Sequence, residues 1–198
     1  MWLRYFLPVY LAAYFGAAFV WRSYSVWRKS GINPVVFKHT DDAHDFIGRV
    51  FKLLFGIVVL VVILYSVFPA AYQYLVPVPW LDHKWARVTG VALLIASLIW
   101  TILAQSQMGE SWRIGIDTEN KTQLVHTGVF NISRNPIFLG IMVTNFGLFL
   151  ATPNAVTLTL LVLSFVLVNI QVRLEEEHLE RMIGNEYVLY SQRVRRWI

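Results

Sequence analysis

Residues 56 to 64 read Gly-Ile-Val-Val-Leu-Val-Val-Ile-Leu, and they lie inside an uncharged apolar run that extends from Leu53 to Leu75. A helix needs about 20 residues to cross the roughly 30 Å hydrocarbon core of a bilayer, so this run is long enough. In water, such a β-branched stretch could form a buried strand. In lipid, a helix satisfies all of its own backbone hydrogen bonds, and the length of the run therefore predicts a membrane-spanning helix.

Four further apolar segments follow the same pattern, and they cover Trp2 to Val20, Val88 to Leu103, Ile137 to Ala151 and Ala155 to Val172. The chain is 57% hydrophobic and only 15% charged, and its mean hydropathy is +0.53. These values exclude an ordinary water-soluble domain. We predict an all-α integral membrane protein with about five transmembrane helices. The first segment is expected to be retained, because Trp21-Arg22 stands where a signal peptide would have small residues.

The last two apolar segments are separated only by Thr152-Pro153-Asn154. A connection this short predicts an antiparallel helical hairpin. The first of the two segments is short for a full span, so we expect the hairpin to be tilted or only partly inserted. No internal repeat or low-complexity linker interrupts the chain, and residues 1–198 are predicted to form a single membrane domain.

The basic residues are distributed asymmetrically between the loops. Of the 17 Lys and Arg residues, fourteen lie in the segments 22–52, 105–135 and 173–196, and only Arg4, Lys84 and Arg87 lie elsewhere. Basic loops stay in the cytoplasm, so we expect the N-terminus outside, and the polar segments and the C-terminus inside. This asymmetry explains the basic charge without nucleic-acid binding. We interpret Arg193, Arg195 and Arg196, beside Trp197, as anchors at the membrane surface.

The composition also excludes several kinds of site. The chain has no cysteine, which removes disulfides, thiolate metal sites and cysteine nucleophiles. His39, Asp42 and His44 lack the regular spacing of metal ligands, and we expect a solvated loop and no bound metal.

Two polar stretches flank the predicted hairpin and lie on the same side of the membrane. Ser133-Arg134-Asn135-Pro136 has the pattern of a helix start, with Ser133 or Asn135 as the cap and a proline in the first turn. Its backbone N–H groups and Arg134 would suit a carboxylate or phosphate, although a simple capped helix has the same pattern.

The second stretch is Arg173-Leu174-Glu175-Glu176, which begins at the end of the last apolar segment. Its carboxylates would suit an ammonium, ribose hydroxyls or a sulfonium, although charge runs are more often a solvated helix face. If the hairpin is antiparallel, the two stretches meet. The sequence therefore predicts one composite pocket on the cytoplasmic face.

Residues 109 to 197 resemble the C-terminal half of the membrane methyltransferases typified by isoprenylcysteine carboxyl methyltransferase, a superfamily that includes phospholipid N-methyltransferases. The matching pieces are Leu-Val-His-Thr-Gly-Val-Phe (124 to 130), Ser-Arg-Asn-Pro-Ile-Phe-Leu-Gly (133 to 140), the pair Glu175 and Glu176, and Leu179, Gly184, Tyr187, Tyr190, Arg193 and Val194. Each piece alone is weak, but their order and spacing around an apolar hairpin make the resemblance strong.

The resemblance implies that the chain binds S-adenosylmethionine and methylates a lipophilic acceptor that enters from the lipid. It implies a cofactor-binding region over 105–198, with the N-terminal helices in 1–104 on the acceptor side. The implied cofactor-binding residues are Leu124, Val125, Phe130, Arg134, Asn135, Pro136, Phe138, Glu175 and Glu176. The family usually has histidine at position 135 and tyrosine at position 138, so this chain lacks a titratable group and a hydroxyl there.

The acceptor-side roles follow from the same resemblance. Methyl transfer to a carboxylate needs little acid–base chemistry, so the protein mainly positions and desolvates its substrates. We expect Arg173, and secondly Arg113, to hold an anionic acceptor. For an amine acceptor, Glu176 or His126 would take the proton.

Several functions remain open at this point. A prenylated cysteine carboxylate is the expected acceptor, with a phospholipid amine or a small thiol as alternatives. Membrane reductases that bind NADPH resemble the same C-terminal region. A non-enzymatic membrane protein or transporter is less expected, because the polar residues collect at one face instead of at mid-membrane.

Overall fold

The computed structural model describes residues 2–31, 33–34, 43–113 and 124–198, and these residues form an all-helical bundle. The α-helices are α1 (Leu3–Phe15), α2 (Arg22–Ser30), α3 (Ala43–Val67), α4 (Pro69–Tyr72), α5 (Lys84–Met108), α6 (Pro136–Ala151), α7 (Ala155–Ile183) and α8 (Asn185–Arg193). A π-helical segment, Gly16–Trp21, joins α1 to α2, and 3₁₀ turns cover Gln73–Leu75, Gly109–Ser111 and Gly128–Asn131. In the described ranges, β pairing is limited to one bridge between Pro77 and Asn154.

Four helical stretches are long and apolar enough to cross a membrane, namely Leu3–Ser30, Ala43–Val67, Lys84–Ser111 and Ala155–Ile183. Helix α6 is the shorter apolar helix. The predicted all-α membrane fold is therefore confirmed, including the short fourth segment. The protein is a multi-pass membrane protein.

The second apolar segment was expected to continue to Leu75, and this boundary is wrong. Helix α3 ends at Val67, and Phe68 has φ −121° and ψ 67°. The proline ring at position 69 disfavours the helical conformation for the residue before it, and here the chain breaks and restarts as α4. The first segment is longer than expected, because its helix continues through the π-helical segment to Ser30 and ends at Gly31, where φ is 69°.

Helices α5 and α6 make the closest helix contact in the bundle. A Cβ atom on Gly90 would lie 2.6 Å from both the Gly147 oxygen and the Ala151 nitrogen. A Cβ atom on Gly140 would lie 2.3 Å from Thr101 Oγ1. The glycines let the two backbones touch, as small residues do between membrane helices.

The α6–α7 connection is a tight and internally bonded turn. The Asn154 side chain accepts a hydrogen bond of 2.9 Å from the Thr157 nitrogen, and the Thr157 hydroxyl accepts one of 3.2 Å from the Asn154 nitrogen. Asn154 Nδ2 also donates to the Tyr72 hydroxyl at 3.1 Å. The two helices therefore leave the turn antiparallel, as the short connection predicts.

The remaining helices cover the two sides of this core. Leu3, Leu7 and Tyr10 of α1 form one cluster with Leu94 of α5 and Leu148 of α6. A second cluster joins α3 to α7 through its buried members Leu54, Val61 and Leu160. We call the end of the bundle where α6 begins and α7 ends the site end.

Candidate functional site

The centre of the candidate site is the carboxylate of Glu176. Helix α7 continues beyond its apolar part without a break, and Glu176 is only 9% exposed. Asn135 Nδ2 donates to Glu176 Oε1 at 2.9 Å, and Arg196 donates to Oε2 from Nη2 at 2.8 Å and from Nε at 3.1 Å. Arg134 Nη2 lies 3.4 Å from Oε1. We call these four residues the Glu176 cluster.

Asn135 occupies the position that the sequence predicts but uses its side chain differently. It is the N-cap residue of α6, and Pro136 is the first helical residue. The Asn135 side chain makes no capping hydrogen bond and instead bonds Glu176. The Asn135 nitrogen donates to Ser133 Oγ at 3.2 Å, so Ser133 holds the backbone of this turn. The helix start therefore positions a side-chain amide for the site.

The C-terminal tail completes the cluster through backbone bonds. The Arg134 nitrogen donates to the Arg195 oxygen at 3.0 Å, and Ser133 Oγ donates to the Arg196 oxygen at 3.2 Å. These bonds place the Arg196 guanidinium on Glu176, and its hydrogen bonds to that carboxylate raise the pKa of Arg196. The interpretation of Arg196 as a membrane anchor is therefore wrong: its side chain belongs to the site. Arg193 and Arg195 are exposed.

Aromatic residues form an apolar wall next to the cluster. Tyr187, Tyr190 and Val194 are buried together, and Leu124 packs against them. The Tyr190 hydroxyl donates to the Phe130 oxygen at 2.7 Å, and burial raises the pKa of Tyr190 to about 12, so this phenol stays protonated at neutral pH. The wall thus ties α8 to the segment before α6.

The segment before α6 is also fixed to α5. The Val129 nitrogen donates to Gln107 Oε1 at 2.8 Å. Gly128 has φ 61°, a conformation that residues with a side chain rarely adopt. Val125 and Phe130 pack with Ala104 of α5. This stretch ends in the 3₁₀ turn Gly128–Asn131.

The other predicted cofactor-binding residues lie on the same elements. The Pro136 oxygen accepts a hydrogen bond of 2.8 Å from Trp100 Nε1, and Phe138 is half-buried in the first turn of α6. Glu175 is half-buried beside Glu176, and no ion pair to it is found among the described residues. The two glutamates, which the sequence treats as equivalent, therefore have different surroundings.

The residues predicted to hold the acceptor lie outside the Glu176 cluster. Arg173 is exposed and donates to the oxygen of Asn169 at 2.7 Å, along its own helix. Arg113 donates to the Glu110 oxygen at 2.5 Å and the Trp112 oxygen at 3.0 Å. His126 is exposed. Their roles stay predictions.

The site also has the free polar groups that a zwitterionic ligand requires. Arg134 Nε is buried and has no hydrogen-bond partner among the described residues. A carboxylate would satisfy this donor, and the unpaired Glu175 carboxylate would suit a positive group. The amino acid part of S-adenosylmethionine carries both charges, so these residues fit that cofactor.

The sequence of the chain is similar to those of known methyltransferases. The sequence model of the phospholipid methyltransferase family matches residues 85–186, which include α5 from its second residue onward, all of α6 and α7, and Glu176. A relative from Arabidopsis thaliana, "Protein-S-isoprenylcysteine O-methyltransferase B", is 31% identical over 118 residues. That alignment covers 57% of this chain and 59% of the relative, so the chain spans less than two thirds of its length. No solved structure matches the chain.

Proposed function

Since this chain belongs to the phospholipid methyltransferase family, we propose that it is a membrane methyltransferase that transfers a methyl group from S-adenosylmethionine to a lipophilic acceptor. The relative acts, by its name, on a protein-bound isoprenylcysteine. An isoprenylcysteine-like carboxylate is accordingly the acceptor that we propose first, at a site on the cytoplasmic face.

The observation that carries this proposal is the Glu176 cluster. It joins the start of α6, the end of α7 and the C-terminal tail through one buried carboxylate. A buried charge is costly unless it is paired and hydrogen-bonded, and this one has both kinds of partner. Such a cluster fixes the relative positions of the three segments that line the proposed cofactor pocket.

The proposed cofactor supplies an electrophilic methyl group on a positive sulfonium. The chain's own contribution is binding and orientation. Leu124, Val125, Phe130, Pro136 and Phe138 would contact the apolar parts of the cofactor, while Arg134 Nε would hold its carboxylate. Because Glu176 already accepts bonds from Asn135 and Arg196, we assign it a positioning role and not a catalytic one.

The departures from the usual family residues fit this division of roles. Asn135 offers a donor to Glu176 without titrating. Phe138 retains the ring that packs in the pocket. We propose that Arg173 and Arg113 contact an anionic acceptor. Both lie outside the Glu176 cluster: Arg173 is in the second half of α7, and Arg113 follows the end of α5 by five residues.

The test is binding of S-adenosylmethionine, S-adenosylhomocysteine and NADPH to the detergent-purified protein, measured by calorimetry. We expect the first two to bind and NADPH not to bind. Asn135→Leu removes the amide bond to Glu176 and should weaken S-adenosylhomocysteine binding at least about tenfold. The matched control is Asn145→Leu, because that amide donates within its own helix, to the Ile141 oxygen at 2.9 Å. Selective binding of NADPH would instead identify a reductase. If both variants bound S-adenosylhomocysteine with the same affinity, the Glu176 cluster would have no role in cofactor binding.

A further inference from the structure

Helix α2 continues the first membrane helix beyond the length that the hydrocarbon core requires. Leu3–Ser30 is one helical stretch. Its mostly apolar part, Leu3–Trp21, is about 28 Å long at 1.5 Å per residue, which matches the roughly 30 Å core of a bilayer. Helix α2 adds nine residues, or about 13 Å. Because the apolar part already fills the core, α2 emerges into the headgroup layer.

Helix α2 lies at the site end of the bundle. Arg22 Nη2 donates a hydrogen bond to the backbone of the 3₁₀ turn that follows α5. Helix α5 runs antiparallel to α6, since Gly90 meets Gly147 near one end and Thr101 meets Gly140 nearer the other. The end of α5 is therefore beside the start of α6. The leaflet that surrounds α2 is the one that surrounds the candidate site.

Three aromatic side chains point away from the bundle along α2. Trp21, Tyr24 and Trp27 are 67%, 45% and 55% exposed, and the ring centroids of each successive pair are 6.2 Å apart. We call these three residues the aromatic face. Val26, on the other side of the helix, is only 1% exposed. Tryptophan and tyrosine favour the boundary between lipid and water, where the ring is shielded and the polar atom stays wet. The aromatic face therefore fits a headgroup layer better than open water.

Basic residues accompany the aromatic face without acidic ones. Arg28 and Lys29 are exposed, and Arg28 lies about 20° from Trp21 around the helix axis, within the aromatic face. Residues 3–31 contain no Asp or Glu. In the described part of the chain, the ion pairs found do not involve Arg22, Arg28 or Lys29. The charge of α2 is therefore not neutralised by these parts of the protein.

Arg22 adds a third positive charge at the base of α2. Its guanidinium carbon lies 5.8 Å from the ring centroid of Trp112, which is buried. Its other contact is the neutral Gly109 oxygen, and its Nε has no hydrogen-bond partner among the residues that the structure describes. A ring face and a carbonyl hold the guanidinium in place but leave its charge uncompensated. The positive potential along α2 therefore attracts an anion from outside the chain.

We propose that α2 binds the headgroup of an anionic phospholipid in the leaflet at the site end. Arg28 and Lys29 contact the negatively charged headgroup, and the aromatic face lies against the same lipid layer. A lipid is the occupant because the cations stand among exposed aromatic rings, just beyond the hydrocarbon core. This inference does not depend on the methyltransferase proposal, since α2 lies outside the residues that the family matches.

The test measures lipid binding to the detergent-purified full chain. Native mass spectrometry counts bound palmitoyloleoylphosphatidylglycerol and palmitoyloleoylphosphatidylcholine, which have the same acyl chains and differ in net charge. Glycerol 3-phosphate, added as a competitor, presents a phosphate without acyl chains. The variants are Arg28→Gln and Lys29→Gln, whose side chains are exposed, and thermal unfolding without added lipid checks that they fold. Lys84→Gln is the matched control, because Lys84 is also exposed beside an aromatic ring, that of Trp85, but lies at the opposite end of the bundle.

We expect the wild type to bind phosphatidylglycerol more tightly than phosphatidylcholine. Each α2 variant should weaken phosphatidylglycerol binding about fivefold, the equivalent of about 1 kcal/mol for one basic residue at an anionic surface. Phosphatidylcholine binding and the Lys84→Gln control should not change. Equal binding of the two lipids by the wild type, or an equal loss in the control, would overturn the inference. Displacement of the lipid by an equal concentration of glycerol 3-phosphate would also overturn it, because the site would then hold a soluble phosphate.

Discussion

Arg195 and Arg196 are neighbours in sequence, but only Arg196 contacts the site. The Arg196 side chain bonds Glu176, while Arg195 is exposed and contributes its backbone oxygen to Arg134. The tail is extended at Val194, so successive side chains point in opposite directions. A shift of the tail by one residue would therefore exchange the positions of Arg195 and Arg196 relative to the Glu176 cluster.

Replacing Arg196 with lysine should weaken the cluster while keeping the charge. A lysine ammonium cannot reproduce the paired Nε and Nη2 bonds of a guanidinium. We expect Arg196→Lys to lower the free energy of unfolding by about 1 to 2 kcal/mol, since the arginine is partly exposed, and to reduce affinity for S-adenosylhomocysteine. Denaturant unfolding and calorimetry measure the two effects. Arg195→Lys, the control, should behave as wild type, and an equal loss in both variants would contradict the assignment.

The sequence predicts some of the contacts in the Glu176 cluster but not all of them. The proximity of Asn135 and Glu176 follows from an antiparallel hairpin and is seen in the structure. The involvement of Arg196 could not be predicted, because it depends on backbone bonds between Arg134 and the tail, which leave no pattern in side-chain types. A basic tail beside a tryptophan has the same composition whether it anchors to lipid or folds back.

Among the helices, the α5–α6 contact places the start of α6 relative to the rest of the bundle. At Gly90 and Gly147 the backbones of the two helices are in contact. At Gly140 the backbone of α6 is in contact with the hydroxyl of Thr101 from α5. In lipid, such close packing replaces the hydrophobic effect as the source of helix association. The Trp100 bond to the Pro136 oxygen extends the same contact to the site end.

We expect Gly90→Ala to be strongly destabilising. The added methyl would lie 2.6 Å from backbone atoms of α6, so one helix must move. The cost of such overpacking is about 1 to 3 kcal/mol. Gly56→Ala in α3 is a matched control, because a Cβ there meets nothing within 4 Å and alanine is the better helix former. Unfolding in mixed detergent should show a loss for the first variant only, and similar stability of both would disprove the close contact.

The helices themselves were predictable to different degrees. Length and hydropathy predicted the apolar segments, because lipid imposes helices on any run of this kind. The ends were less predictable: α7 continues through a charged stretch to Ile183, and α3 stops within an apolar one at Val67. Hydropathy indicates whether a segment lies in lipid or in water. The ends of a helix depend instead on particular residues, such as the proline at position 69.

For the molecule as a whole, the distribution of basic residues predicts the orientation. Fourteen of 17 Lys and Arg residues lie in segments that the hairpin topology assigns to one side. We expect a C-terminal green fluorescent protein fusion to fluoresce and a C-terminal alkaline phosphatase fusion to be inactive, because the tail should lie in the cytoplasm. The reverse pattern of reporter activities would place the candidate site on the outer face.

The π-helical segment between α1 and α2 has a consequence for how the chain tolerates changes in length. Gln105 Nε2 donates to the Ala18 oxygen inside this segment at 3.0 Å, and Arg22, just after it, donates to the Gly109 oxygen. A π-helical turn carries one more residue than an α-helical turn. Deleting one residue between Gly16 and Trp21 would therefore restore regular winding and leave α2 at nearly the same angle about its axis, whereas rewinding the segment without a deletion would turn α2 by about 100°. The segment can therefore lose one residue while Arg22 still faces Gly109.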